Sequence, residues 1–208
     1  MKNLFKHLLL IIVLCLSSIQ LYSQDKALCR VDRIQGLEAY IMCEPLRDYE
    51  VVLDKGAGAK AASLLTGGLV NEGVSAKISQ FVKRIKKEAE ENGQEIDAVV
   101  YDSGKRTVGV KWKEAATEKN KGIGRASKVN GLYVFVTSEP LSDYDDLIDK
   151  SGGAKAKSLL TGGLANNSIA QDIAQFVKRI KKEAEESGQE IDAVVYSTGK
   201  RAIGVKFK

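Results

Sequence analysis

The chain contains two copies of one sequence. Residues 34–113 align with residues 129–208 at a constant offset of 95 residues and without a gap, and about 50 of the 80 aligned positions are identical. Self-similarity over such a length marks a structural unit that occurs twice. A period near 95 residues, present only twice, indicates a tandem pair of domains and not a solenoid, whose repeats are shorter and stack in arrays.

Each copy carries the pattern of one long amphipathic helix. Apolar residues recur every three or four positions from Val74 to Ala89, which places them on one face of a helix. The second copy repeats the stripe, so the sequence predicts helices over residues 74–92 and 169–187. Gly93 and Gly188 are natural C-terminal stops.

Short apolar segments on both sides of this helix predict strands. Residues 37–43 and 132–138 are aliphatic and aromatic, follow tight-turn pairs (Gln35-Gly36 and Asn130-Gly131) and end at a Glu-Pro pair. Residues 97–101 and 107–113, with 192–196 and 202–208, predict a hairpin in each copy. Residues 49–53 and 144–148 fit a strand or one helical turn, and the small residues at 59–65 and 154–160 predict a short helix.

These elements predict an α+β fold made by tandem duplication of a small module. In each module an antiparallel sheet would pack against one long amphipathic helix plus a short helix. The predicted boundaries are residues 24–113 for the first copy and 125–208 for the second. Residues 114–124 are charged and glycine-containing, so we expect a linker there.

Residues 1–23 have the pattern of a secretory signal peptide. Two lysines precede an uninterrupted apolar run over residues 8–16, and small polar residues follow, so we expect cleavage after Ser23. The apolar run is shorter than the roughly 20 residues of a membrane-spanning helix. We therefore expect an exported protein, periplasmic or secreted, that does not span a membrane after signal cleavage.

Removal of the signal also changes the composition of the chain. It takes away two lysines, which leaves 30 basic against 27 acidic residues, and the interspersed charges give no steering toward nucleic acid. It also takes away Cys15 and His7, the single histidine. Without histidine, the mature chain has no Ser-His-Asp or Cys-His catalysis and no histidine metal ligand. We expect no metal, no cofactor and no enzyme activity.

The mature chain keeps two cysteines, Cys29 and Cys43. An exported protein folds under oxidising conditions, which favours pairing. A hairpin centred on Gln35-Gly36 would place Cys29 beside Met42 and within one register step of Cys43, so we predict a disulfide. Two buried free thiols, or a redox or intermolecular role, remain as alternatives. The second copy has Gly124 and Ser138 at the equivalent positions.

Two groups of charged residues are candidates for chemistry or binding. Glu44 with Asp48, and Glu139 with Asp143, flank a proline in each copy and could serve a carboxylate-dependent hydrolase, although such residues commonly cap turns. The helices carry a repeated basic run that could bind anionic lipid or polysaccharide, although a solvated helix face has the same pattern. Its members are Lys83, Arg84, Lys86, Lys87, Lys178, Arg179, Lys181 and Lys182.

The sequence does not identify a chemical activity. The leading interpretation is a non-catalytic exported or envelope protein whose repeated modules act as a binding or interaction unit, with another envelope protein or an anionic surface as partner. The alternatives are an anionic lipid or polysaccharide binder that uses the basic helix faces, and a carboxylate-dependent hydrolase.

Overall fold

A computed structural model describes residues 25–54, 74–102, 106–149, 169–196 and 202–208. The first copy contains β1 (Leu28–Val31), β2 (Arg33–Ile34), β3 (Leu37–Ile41), β4 (Cys43–Pro45), β5 (Tyr49–Asp54), α1 (Val74–Glu91), β6 (Ala98–Asp102) and β7 (Arg106–Trp112). The second copy contains β8 (Ile123–Ala126), β9 (Lys128–Val129), β10 (Leu132–Val136), β11 (Ser138–Pro140), β12 (Tyr144–Asp149), α2 (Ile169–Glu186), β13 (Ala193–Tyr196) and β14 (Ala202–Phe207).

One large mixed sheet of ten strands runs through both copies. Its order is β12-β14-β13-β10-β3-β6-β7-β5, with β2 and β9 added as hairpin strands on β3 and β10. The copies join where β3 and β10 pair antiparallel, with Val136 opposite Ile41. Within each copy the central pair is parallel, since β3 pairs with β6 and β10 with β13.

The predicted fold class, two modules that each pack an antiparallel sheet on one long helix, is therefore wrong. The chain is mostly β-sheet, and its main sheet is mixed and shared between the copies. The long helix of each copy joins two strands that run in the same direction without being neighbours, β5 and β6 in the first copy and β12 and β13 in the second, as a helical crossover does. The shared sheet follows from β3 and β10, which are buried almost throughout and are central strands.

A second sheet of four strands covers one face of the large sheet. Its order is β11-β1-β8-β4, and every pair in it is antiparallel. The copies exchange strands here: β1 of the first copy pairs with β11 of the second, and β8 of the second pairs with β4 of the first. Ile123 and Gly124, at the end of the predicted linker, belong to β8.

The chain moves between the two sheets at Met42 and at its counterpart Thr137. Both residues have positive φ, 57° and 50°, which non-glycine residues adopt rarely. The turn at Met42 divides the predicted strand over residues 37–43 into β3 in the large sheet and β4 in the small sheet. Thr137 divides residues 132–138 in the same way, into β10 and β11.

Two hydrophobic cores lie on the two faces of the large sheet. The first lies under α1 and α2, where Ile78, Phe81, Val82, Ile85 and Ala89 are at most 3% exposed, which confirms the predicted stripe of α1. The second lies between the sheets and contains both cysteines. Alternate residues of a strand lie in different cores. In β3, Ala39 and Ile41 belong to the core under the helices, and Tyr40 belongs to the core between the sheets.

Several predictions of local structure are confirmed, and the predicted short helices and signal peptide lie outside the described residues. Gln35-Gly36 and Asn130-Gly131 have positive φ at both positions, as a type I′ turn requires. Residues 49–53 and 144–148 are strands, within β5 and β12. The predicted short helices at residues 59–65 and 154–160, and the predicted signal peptide, lie outside the described residues.

Candidate functional site

The two cysteines meet between the sheets. Cys29 on β1 and Cys43 on β4 have their sulfur atoms 3.1 Å apart, at hydrogen-bond distance, as free thiols. Cys29 is 0% and Cys43 3% exposed. The pair comes together by a route that the predicted hairpin does not describe, because β8 lies between β1 and β4 in the small sheet.

Gly124 on β8 provides the space for both sulfurs. It lies directly opposite Cys29 in the register of β1 and β8, and Cys29 also contacts its carbonyl oxygen, with 3.5 Å between Sγ and O. A Cβ atom at position 124 would overlap the Cys43 sulfur and lie 2.9 Å from the carbonyl oxygen of Glu44. Because residue 124 is the repeat counterpart of residue 29, Cys29 faces its own counterpart at the axis that relates the two copies.

The two thiols differ in acidity because one donates to the other. With Cys43 as donor, the hydrogen bond to Cys29 lowers the pKa of the Cys29 thiol, against the opposing effect of burial. The same hydrogen bond, together with burial, raises the pKa of Cys43. Cys29 is therefore the sulfur that ionises first.

A buried polar cluster adjoins the thiols in the first copy. The Tyr40 hydroxyl donates to Glu38 Oε2 at 2.9 Å, and Glu38 is only 7% exposed. Burial and the nearby Glu38 carboxylate raise the pKa of Tyr40. The Arg47 guanidinium stacks 4.2 Å from the centre of the Trp112 ring and donates to the carbonyl oxygen of Glu114 at 2.6 Å.

The second copy replaces this cluster with aromatic packing. The counterparts of Glu38, Tyr40 and Trp112 are Tyr133, Phe135 and Phe207. Phe207 packs edge-on against both other rings, with centroids 6.3 Å and 6.2 Å away. Arg47 corresponds to Ser142, a buried serine whose hydroxyl oxygen has no hydrogen-bond partner in the described part of the chain.

The outward side of the small sheet forms a two-fold patterned surface, which we call the outer face. Strand residues that alternate with the buried cysteines point away from the core. Leu46 and Leu141 extend the edge strands, because their N–H groups donate to the carbonyl oxygens of Ile123 and Leu28. The outer face consists of Leu28, Arg30, Glu44, Leu46, Arg125, Glu139 and Leu141.

Charges of opposite sign lie directly across from one another on the outer face. Arg30 is opposite Glu139, and Arg125 is opposite Glu44 and pairs with Asp25. Leu46 and Leu141 are 43% and 41% exposed, the large exposed apolar side chains of the described residues. Each copy thus contributes one exposed leucine, one arginine and one glutamate, and each pair of opposite charges joins the two copies.

The candidate carboxylates lie on opposite edges of the small sheet. Glu44 is on β4 and Glu139 on β11, with β8 and β1 between them. Three steps of about 4.8 Å separate these edge strands, so Glu44 and Glu139 do not form one glycosidase pair, while the pairs Glu44–Asp48 and Glu139–Asp143 within each copy stay a prediction. Each glutamate instead accepts a hydrogen bond from a tyrosine of its own copy, Tyr49 or Tyr144.

The candidate basic residues lie on α1 and α2, and six of the eight, Arg84 and Arg179 among them, make contacts within the chain. Lys86 and Lys181 donate to the turn carbonyl oxygens of Gln35 and Asn130 at 3.3 Å and 3.2 Å. Lys87 and Lys182 pair with Glu91 and Glu186, each at 3.4 Å. Arg84 and Arg179 are half-buried, and Lys83 and Lys178 are exposed.

Two further properties of the described residues concern metal and membrane binding. These residues contain no group of three or more histidine, cysteine, aspartate or glutamate residues placed to hold a metal ion. Among the same residues, neither helix has the length and apolar character needed to cross a membrane.

Comparisons of the chain with protein-family models, with curated proteins and with solved structures gave no match.

Sequence reasoning missed the Glu38–Tyr40 and Arg47–Trp112 contacts. The signal that could have found them is the difference between the copies. The first copy has charged or hydrogen-bonding side chains at positions 38, 40, 47 and 112. The second copy has Tyr133, Phe135, Ser142 and Phe207 at the matching positions. Such replacements within an otherwise well-preserved repeat mark the positions where the copies have specialised.

Proposed function

We propose that the chain is a non-catalytic, exported binding or interaction protein in which both copies act as one unit. The outer face is its interaction surface, and its partner is another protein of the exported compartment. The observation that carries the proposal is the pair of exposed leucines, Leu46 and Leu141, at repeat-equivalent positions of one sheet surface.

The composition of the outer face supports this role. Single exposed leucines are common on protein surfaces and require no explanation. Here the two leucines form apolar corners at equivalent edges of one sheet, and the half-buried Leu28 lies beside Leu141. Arginine and glutamate lie beside these apolar corners, and a surface with apolar anchors and a charged surround is typical of protein interfaces.

The strand exchange supports the action of both copies as one unit. The two apolar corners belong to strands that pair with the other copy, so the small sheet holds them in a constant relation to each other. A partner that contacts both corners gains from this preorganisation, because binding does not have to order the surface.

Site-specific photo-crosslinking in cells tests the proposal. A photoreactive amino acid at position 46 or 141 is expected to give a discrete protein adduct, and the same probe at Lys83 or Lys178 on the helices is expected to give none. The L46S/L141S double variant should abolish the adduct formed from a probe at Arg30 while the melting temperature stays unchanged. Adducts formed only from the helix positions, or from none of them, would contradict the proposal.

The alternative partner, an anionic lipid or polysaccharide surface, would use Lys83, Lys178 and their neighbours on the helices. The engagement of Lys86, Lys87, Lys181 and Lys182 within the chain weakens this alternative. Co-sedimentation with phosphatidylglycerol vesicles, compared with phosphatidylcholine vesicles, separates the two. Salt-sensitive binding to the anionic vesicles that K83Q/K178Q abolishes would favour the helix surface over the outer face.

A further inference from the structure

We propose that Cys29 and Cys43 form a disulfide while the chain folds, before β8 takes its place, and that this bond locks the exchanged strands of the small sheet. The proposal rests on the export contained in the proposed function, but not on the outer face as an interaction surface. It rests on the position of the thiols relative to β8 and on their burial.

The position of the sulfurs makes them a pair with no competing partner nearby. They lie 3.1 Å apart, at the closest point between β1 and β4 across the inner side of β8. The second copy has no cysteine, and its Gly124 leaves the space that the two sulfur atoms occupy. A disulfide holds its two Cα atoms within about 7 Å, which is less than two strand spacings, so bond formation needs β1 and β4 to move toward each other besides side-chain rotation.

The burial of the sulfurs determines when the reaction occurs. An oxidant must reach one sulfur along the line of the bond that breaks, and Cys29 is 0% exposed in the folded chain. The Gly124 backbone of β8 covers both sulfurs, with its carbonyl oxygen 3.5 Å from Cys29. Exchange therefore precedes the docking of β8 between β1 and β4.

The chemistry is thiol–disulfide exchange with a disulfide oxidant of the exported compartment. The Cys29 thiolate attacks one sulfur of the oxidant, forms a mixed disulfide and releases one oxidant thiolate. Cys43 then loses its proton and attacks the Cys29 sulfur, which forms the Cys29–Cys43 bond and releases the second thiolate. The protein loses two electrons and two protons, and the oxidant disulfide is reduced to two thiols.

The bond would hold both copies together because each bonded strand pairs with the other copy. β1 pairs with β11 and β8, and β4 pairs with β8. When the small sheet opens transiently, the bond keeps β1 and β4 close to each other on the inner side of β8. The bond therefore reduces the conformational entropy of the opened and unfolded states, and fewer strands have to come together when the sheet closes.

Alkylation before and after reduction tests the bond. Mature protein, without residues 1–23 and therefore without Cys15, is recovered from an oxidising compartment, denatured, and labelled with a maleimide. We expect no label before reduction and two labels after it, with a peptide that joins residues 29 and 43. Two labels before reduction, or a disulfide-linked dimer on a non-reducing gel, would overturn the proposal.

Thermal unfolding tests the lock. Reduction of the wild-type protein should lower its melting temperature by on the order of 10 °C, as expected for a short closed loop in a chain of this size. The C29A/C43A variant is the control, and its melting temperature should not respond to reductant. If the wild-type protein melts at the same temperature before and after reduction, the bond does not act as a lock.

The order of events is tested with oxidised glutathione. Reduced protein that refolds in its presence should form the bond at least about ten times faster than reduced protein that has already folded, because folding buries both thiols. Equal rates would show that the thiols are accessible in the folded chain and would overturn the proposed order.

Discussion

The two copies have the same order of strands and helix but differ in the chemistry between the sheets. The first copy places two thiols, Glu38, Tyr40 and Arg47 there, and the second places Gly124, aromatic rings and serines at the matching positions. On the helix side both copies bury the same stripe, with Ile85 and Ile180 each 1% exposed. The comparison shows that the helix side preserves the fold, while the copies have diverged where they meet across the small sheet.

The largest effect should come from the preserved side and should be equal in both copies. Phe81 and Phe176 are 3% and 5% exposed and pack edge-on against Tyr101 and Tyr196. Truncation to alanine at either position should lower the free energy of unfolding by about 3–5 kcal/mol. Chemical denaturation of both variants tests this. A difference of more than about 2 kcal/mol between F81A and F176A would show that the copies are not equivalent even on this side.

A smaller effect should come from Gly124, where the copies meet. The added methyl group of G124A would overlap the Cys43 sulfur and approach the carbonyl oxygen of Glu44. We expect a loss of about 1–3 kcal/mol, the usual cost of overpacking a core. The control is G124A in a C43A background, in which the sulfur is gone and denaturation should show a smaller loss. An equal loss in both backgrounds would assign the effect to the backbone instead of to the thiol.

A third prediction exchanges a residue between the copies. Y40F gives the first copy the phenylalanine of the second and removes the hydroxyl that donates to the buried Glu38. We expect a loss of about 1–2 kcal/mol, because the carboxylate keeps its desolvation cost without this donor. The reciprocal F135Y is the matched control, since Tyr133 stands where Glu38 would accept. If E38Q/Y40F loses as much stability as Y40F alone in denaturation, the carboxylate does not carry the effect.

The smallest effect should come from the exposed ion pairs of the helices. Lys87–Glu91 and Lys182–Glu186 have the same spacing and the same 3.4 Å distance. K87Q or K182Q should change the free energy of unfolding by less than about 0.5 kcal/mol, because water screens exposed i,i+4 pairs. Chemical denaturation in low and high salt measures this change. A larger loss of unfolding free energy for one variant than for the other would show that the two pairs are not equivalent, although their distances are equal.

The local elements could be predicted from the sequence, but their assembly could not. The helix stripe and the turns at Gln35-Gly36 and Asn130-Gly131 depend on neighbours a few residues apart, and both predictions are confirmed. The antiparallel modules were wrong because strand partners lie far apart in the chain. Leu132 to Val136 does contain a usable signal, since an almost unbroken apolar run indicates a strand buried on both faces.

For the site, the sequence predicted which two residues would be close but not the reason. The proximity of Cys29 and Cys43 was inferred from a hairpin, whereas β1 leaves that hairpin after Val31 and pairs with the other copy. Strand exchange leaves no periodic signal in a sequence. The burial of Glu38 and Arg47 was not predicted for a related reason, because charged side chains are rarely buried and only the packed structure shows their partners.

The position of Gly124 opposite Cys29 also bears on why one gene encodes both halves. If two identical chains were to exchange strands in this way as a homodimer, any residue at position 29 would face a second copy of itself. A cysteine there would meet another cysteine, and a glycine another glycine, so the complementary pair could never arise. Fusion of the halves into one polypeptide removes that constraint, because a mutation on one side of the axis no longer appears on the other.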